Sequence, residues 1–252
     1  MKAYSEWGQQ KVVIGKIEPT HYVRNYLVHR LVQKYSKKYN IKDVCEIGCG
    51  TGSLSIEMAK LGLKVDASDL DKNAIKLARK FNSHNNVSYT SRNVLALKSK
   101  KKYGMVVSIE VIEHIEEDRK ALLKISSVLK DGGILLVTAP IHEKYRREFD
   151  DRSGHVRRYD PEDLLRKIKQ EGFEILHFRY FNFPFLWLWY FYFYLPYSNK
   201  KEKQMKSSKN TKKSLPKWIG ILKIINKPFL VDLLFNSKKY STDMLVIGRK
   251  LR

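Results

Sequence analysis

The stretch Cys45-Glu46-Ile47-Gly48-Cys49-Gly50-Thr51-Gly52 sets three glycines and one carboxylate into eight residues, directly after an apolar strand pattern. Alternating glycines at a strand-to-helix turn let the backbone approach a ligand closely, and the helix that follows offers unpaired N–H groups. In an open α/β sheet such a turn faces the crevice where ligands bind. Spacing excludes two phosphate sites. A P-loop ends in Gly-Lys-Ser/Thr, and the next lysine here is Lys60; a dinucleotide fingerprint, G-x-G-x-x-G, would need glycine where Ser53 or Ser55 stands. Glu46 would also repel a pyrophosphate.

Outward from this turn, strand and helix signals alternate. Strands are predicted at Ile41 to Ile47, Lys64 to Ser68, Val87 to Thr90, Met105 to Ile109 and Ile134 to Thr138. Helices are predicted at residues 20–39, Leu54 to Leu61, Asn73 to Asn82 and Glu117 to Leu129, the last stopped by Lys130-Asp131-Gly132-Gly133. Asp160-Pro161 caps a further helix, Phe173 to Phe178 reads as a sixth strand, and Asp243 to Lys250 as the last. Alternation of this kind implies a parallel sheet covered by helices on both faces. The chain divides into an N-terminal helical segment (1–40), a core (41–180), an aromatic and lysine-rich insertion (181–240) and the last strand (241–252).

The 252 residues are 43% hydrophobic, enough for a full core, and carry a formal net charge of +23. The charge favours anionic partners: nucleic acid, phosphorylated substrates or an acidic membrane surface. From Lys200 onward there are 15 Lys and Arg against 3 Asp and Glu, so the C-terminal fifth is a separate electrostatic object. Cys45 and Cys49 stand too far apart on an extended path to bridge, and the first residues lack the apolar run of a secretory signal. A reduced, cytoplasmic protein is expected.

The pattern Glu46-x-Gly48-x-Gly50-x-Gly52 resembles the first motif of class I S-adenosylmethionine (AdoMet) dependent methyltransferases. AdoMet carries a sulfonium and an ammonium and no phosphate, so a carboxylate beside the glycines suits it. The similarity continues in order to about residue 178. VDASDLDKNAIKLAR resembles the family's second strand and helix, which implies Asp69, with Leu70 beside it, at the ribose hydroxyls; Asp71 reads as a helix cap. SYTSRNVLAL matches the segment facing the adenine amine, with Asn93, next to Val94, where relatives usually carry an acid. VVSIEVIEHIEED resembles the fourth-strand motif of ubiquinone-biosynthesis O-methyltransferases and their relatives, which implies Ser108 to Glu110 near the methionine part of the cofactor. LKDGGILLVTAP and GHVRRYDPEDLLRKIKQEGFEI match the segments that follow. The resemblance thus implies a Rossmann-like α/β fold, a doubly wound seven-stranded mostly parallel sheet whose last strand is antiparallel. It implies an AdoMet site formed by Glu46, Gly48, Cys49, Gly50, Gly52, Asp69, Leu70, Asn93, Val94 and Glu110.

Methyl transfer from a sulfonium is an in-line displacement, so much of its catalysis comes from alignment. A base is needed when the acceptor must lose a proton, and histidine suits a hydroxyl acceptor near neutral pH. His155 is the first candidate, in GHVRRY; His114 is the second, and His142 belongs to the same edge of the sheet. Arg146, Arg147, Arg157 and Arg158 would form a cationic rim. No carboxylate and histidine cluster has metal-ligand spacing, so no metal is expected. Two rival readings are an RNA or DNA methyltransferase and a non-catalytic adaptor that keeps the fold. Nucleic acid is the weaker partner, because amino-methylating DNA enzymes carry Asn/Asp-Pro-Pro-aromatic where this chain reads SIEVIEH.

Residues 178–197, FRYFNFPFLWLWYFYFYLPY, contain 13 aromatics and one charge, Arg179. Between Pro184 and Pro196 a helix would reach about half of a ~30 Å hydrocarbon core, too short to cross. Tyr and Trp favour the headgroup boundary, and the lysines that follow favour an anionic surface. The expectation is a peripheral protein at the cytoplasmic membrane face, acting on a hydrophobic or lipid-linked small-molecule acceptor. A dimer interface or substrate lid is the alternative, and the oligomeric state stays open.

Overall fold

A computed structural model describes residues 19–189, 192 and 226–251. The first 18 residues and the lysine-rich link of the insertion lie outside these. Helix α1 (Pro19–Lys38) is followed by β1 (Asp43–Ile47), α2 (Ser53–Lys60), β2 (Lys64–Asp69), α3 (Lys72–Phe81), β3 (Val87–Ser91) and β4 (Tyr103–Ile109). Then come α4 (Asp118–Val128), β5 (Leu129–Pro140), α5 (Glu148–Ser153), α6 (Pro161–Gln170), β6 (Phe173–Phe181), α7 (Phe185–Trp189) and β7 (Asp243–Lys250).

The seven strands lie in the order β3-β2-β1-β4-β5-β7-β6, with β7 antiparallel to both neighbours. The chain winds outward from β1 to β3, then returns to the other side of β1 to place β4. The loops after β1 and β4 therefore part at the carboxyl edge of the sheet, which opens a crevice between them. Alternation along the strands sends Val44, Met105, Leu136 and Leu245 to one face, under Val28 and Val32 of α1 and Met58 of α2. It sends Cys45, Val106, Leu135 and Val246 to the other, under Leu122 and Ile125 of α4 and Leu164 of α6. Covered on both faces and paired on both edges, β7 buries Met244 to Ile247 completely, which is why it reads as an unbroken apolar run.

Cys45 and Cys49 are buried thiols in opposite layers of the core, with no bond between them. The expected elements agree within a few residues, with two differences. Strand β5 starts at Leu129, so the segment expected to stop α4 pairs with β4 at Tyr103, and Gly132 supplies the left-handed turn (φ 74°) within it. Strand β6 runs on to Phe181 because β7 offers it partners as far as Asp243. The aromatic run therefore begins as sheet: Tyr180 and Phe181 are buried, and so is Leu186 on α7. Those residues belong to the core, and the expected surface element starts after them. No helix of the described residues is long and apolar enough to cross a membrane.

Candidate active site

The glycine turn is held by backbone and by one acid. The N–H groups of Gly48 and Cys49 both donate to the Ser68 carbonyl at the end of β2 (2.8 and 3.0 Å). Gly50 N–H donates to one oxygen of Asp69 (2.8 Å), and Asp71 N–H donates to the other (2.9 Å). Gly48 has φ 76°, and a Cβ there would stand 2.2 Å from Cγ2 of Val111 in the loop after β4. At Gly52 (φ 81°) a Cβ would meet the Tyr89 hydroxyl at 2.3 Å. Two positions thus need glycine for conformation and space together.

Tyr89 and Asn82 escape a motif search yet support this turn from below. The Tyr89 hydroxyl donates to the Asn82 carbonyl (2.8 Å), and the Asn82 amide donates to the Thr51 carbonyl (2.7 Å). Glu46 lies under the glycines at 3% exposure and accepts a hydrogen bond from Ser55 of α2. Burial raises its pKa to about 7; the Ser55 bond opposes the rise and the nearby Asp69 adds to it. Burial also raises Asp69 and both thiols.

Leu70 is exposed at the rim of the crevice. Asp71 caps α3 by accepting from Asn73 N–H (2.7 Å), as its position predicted. The Arg92 N–H donates to the Asp69 carbonyl (2.8 Å), which ties the end of β3, and with it Asn93 and Val94, to the end of β2. Asn93 is exposed, and its side-chain oxygen accepts from Leu95 N–H (2.9 Å), while Val94 is buried beneath.

Across the crevice, Glu110, the residue directly after β4, lies in the left-handed region (φ 54°), unusual for a side chain with a Cβ and concentrated at functional sites. Its carboxylate accepts from the Thr138 hydroxyl (2.7 Å) and lies 3.5 Å from the Arg24 guanidinium of α1. Glu113, three residues on, is fully buried, and neither of its oxygens has a hydrogen-bond partner among the described residues. Burial, reinforced by Glu110, pushes its pKa well up.

The structure brings the two leading histidines together. The rings of His114 and His155 meet edge to face, 4.7 Å between centroids. Nδ1 of His155 lies 2.9 Å from Asp150, a buried carboxylate that also holds Arg158 (2.8 Å). Although burial opposes ionisation, the His155 and Arg158 contacts hold the Asp150 pKa down at about 2. Nδ1 of His114 lies 3.0 Å from the Gly154 carbonyl; burial lowers its pKa, and the Gly154 contact partly offsets this.

Three expectations are corrected. His142 is turned away, with Nε2 at 2.5 Å from the Lys238 carbonyl, and does not join the other two. Three of the four arginines expected in the rim are already paired with acids: Arg157 with Asp118, Arg158 with Asp150 and Arg146 with Asp151 and Glu143. A carboxylate and histidine cluster does exist, since ligand atoms of Glu113, His114 and His155 all lie within 4.8 Å of one another. Linear spacing hid it, because the loop after α5 folds back across the end of β4, fixed by Val156 N–H donating to the Glu113 carbonyl (2.8 Å).

A family model described as a methyltransferase domain matches residues 20–178. The chain belongs to the methyltransferase-domain family. Within it, the chain is 25% identical over 140 residues to a ubiquinone biosynthesis O-methyltransferase of Rickettsia akari, covering 54% of this chain and 56% of that one. It is 35% identical over 158 residues to a ribosomal protein L11 methyltransferase of Campylobacter lari, covering 60% and 54%. The chain spans about half the length of the curated relatives it matches. Its fold matches that of the N-methyltransferase NodS from Bradyrhizobium japonicum, solved with S-adenosyl-L-homocysteine (TM-score 0.55, 13% identity, covering 90% of this chain and 87% of that one). The seven-stranded sheet is the one shared by AdoMet-dependent methyltransferases.

Proposed function

We propose that the chain is an AdoMet-dependent O-methyltransferase acting on a hydrophobic or lipid-linked hydroxyl acceptor at a membrane surface. The observation that carries this reading is the His155–Asp150 pair, with His114 against it, at the same sheet edge as the glycine turn. AdoMet would lie over the turn, its ribose at Asp69, its adenine toward Asn93 and Val94 and its methionine part between Glu46 and Glu110. Asp69 spends one lone pair of each oxygen on the backbone and keeps others for hydroxyls.

For a hydroxyl acceptor the imidazole of His155 takes the proton at Nε2, while Asp150 orients the ring and stabilises its cation. The acceptor oxygen then bonds to the methyl carbon as the carbon–sulfur bond breaks, leaving a neutral thioether. Alignment supplies most of the rate, and the base contributes a further factor of about 10² to 10⁴.

The end of β6 and the start of β7 meet at this same edge, where the Asn182 amide donates to Asp243 (2.6 Å). The insertion leaves from here. Buried Asp232 accepts from the N–H groups of Phe185 and Leu186, which clamps α7 to the 3-10 helix Lys227–Leu234. Phe185, Leu188, Tyr192, Leu234 and Phe235 are exposed on these pieces, with Lys238 and Lys239 following. An apolar cap bordered by lysines beside the acceptor site supports delivery of the substrate from an anionic bilayer. Labelled AdoMet incubated with the protein and with separate lipid and soluble extracts tests this. Label in a lipid-soluble methyl ether is expected; label confined to protein or RNA would reject the acceptor class.

A further inference from the structure

Asn182 and Asp243 stand at the sheet edge where the insertion leaves and returns, and the proposed reaction gives them no role. The Asn182 amide nitrogen donates to one Asp243 oxygen (2.6 Å), and the Thr242 hydroxyl donates to the same oxygen (2.5 Å). The second Asp243 oxygen takes no hydrogen bond among the described residues. A carboxylate only accepts, so the amide turns its nitrogen to Asp243 and leaves its own oxygen over. That oxygen is buried without a partner, and so is the hydroxyl of Ser241, two residues before Asp243. Native structures rarely leave buried polar atoms unpaired, and here acceptors outnumber donors.

The charge is uncompensated as well. Asp243 forms no ion pair among the described residues, because Arg158, the cation whose field reaches it, is bound to Asp150. Burial pushes the Asp243 pKa up to about 6, and Glu110 adds to the rise. Asp243 pairs in register with Pro140 at the end of β5, while Glu110 follows β4 on the other side of that strand and binds its Thr138. Two interstrand spacings separate their backbones by roughly 10 Å, the span of a small hydroxylated ring with a short arm. On the insertion side, Phe183 follows Asn182 and stacks on Tyr240 (5.2 Å between centroids). A carboxylate, an amide oxygen and aromatic rings together suit a cation that donates hydrogen bonds. A neutral hydroxyl would leave the charge of Asp243 unmatched, and an anion would be repelled.

We propose that Asp243 and Asn182, with Glu110 across the end of β5, form a subsite for an ammonium group carried by the methyl acceptor, distinct from the hydroxyl that receives the methyl. Assigning that ammonium to the acceptor rests on the O-methylation reading. The subsite itself is read from binding alone.

The test uses the full-length protein saturated with S-adenosyl-L-homocysteine and three phenols of similar size. Tyramine ends its arm in an ammonium, tyrosol in a hydroxyl and 3-(4-hydroxyphenyl)propionate in a carboxylate. Calorimetry should rank tyramine about 10-fold or more above tyrosol, with the propionate weakest. Asp243→Asn keeps an oxygen for Asn182 and Thr242 and removes the charge, so it should cost tyramine about 10- to 100-fold and tyrosol less than about threefold. Asn182→Gly, which fits φ 65°, should also weaken tyramine more than tyrosol. AdoMet calorimetry on the same samples reports folding; if Asp243→Asn fails that control, Asn182→Gly and the wild-type ranking decide. Equal affinity for tyramine and tyrosol, no tyramine binding at millimolar concentration, or equal loss of both probes in folded Asp243→Asn overturns the subsite and leaves water as its occupant. A tyramine preference in a protein that methylates no hydroxyl upholds the subsite and removes the O-methylation reading instead.

Discussion

Glu46→Gln separates what this carboxylate does to the fold from what it does for the ligand. Glu46 is 3% exposed, and burial raises its pKa from 4.5 to about 7. An acid whose folded pKa exceeds its unfolded value binds more protons in the native state, so it erodes stability as pH rises from 4.5 to 7. At about 1.4 kcal/mol per pH unit, that rise corresponds to roughly 3 kcal/mol at pH 8, with little solvent screening at so buried a site. Glutamine keeps an oxygen for the Ser55 hydroxyl and carries no titratable proton. The variant should therefore match wild type near pH 4.5 and exceed it by about 1 to 3 kcal/mol at pH 8, read from urea unfolding at the two pH values. Asp243, which burial raises to about 6, titrates in both proteins and cancels in the difference. Ligand binding should move the other way. A cationic cofactor favours ionised Glu46, so AdoMet should release protons from wild type at pH 7, detected by calorimetry in buffers of different ionisation enthalpy. Glu46→Gln should bind more weakly and release fewer. A stability gap that is the same at pH 4.5 and pH 8 would show that Glu46 does not titrate in this range, and the reasoning from burial would fail.

Gly48→Ala should cost about 2 kcal/mol or more, because φ is 76° and the new Cβ overlaps Val111. Val111→Ala in the same chain should recover part of this in thermal unfolding, and strictly additive losses would rule out the contact. Gly50→Val and Asp69→Ala should abolish or strongly weaken AdoMet binding in calorimetry while circular dichroism stays native; full affinity in both would misplace the cofactor. His155→Ala should lower methyl transfer by about 10² to 10⁴. Near-wild-type turnover from pH 6 to 9 would leave alignment as the whole mechanism. Leu234, 80% exposed, should anchor to anionic vesicles, and Leu234→Glu should cut flotation several-fold at low salt. Wild type that ignores such vesicles would exclude the membrane reading.

Local pattern alone determined most of the frame: alternating apolar strands and amphipathic helices, the glycine turn, the Asp71 and Asp160 caps, and β7 as a sheet strand. These features depend on residues close in sequence, where side-chain period and turn chemistry act directly. Glu46 illustrates the limit. Its place in the motif is legible, but its burial under the glycines depends on α2 packing Ser55 against it. Tyr89 and Asn82 carry no motif and support the turn only because β3 and α3 come to rest beneath it. The arginines that read as a cationic rim found acids in other segments, and the aromatic run lost its first residues to β6, since a strand continues as long as its neighbour offers partners. The cluster of Glu113, His114 and His155 is the clearest case. Residues 113 and 155 carry no mutual spacing signal, and they meet because a parallel sheet gathers the ends of its strands at one edge and a later loop folds back over them.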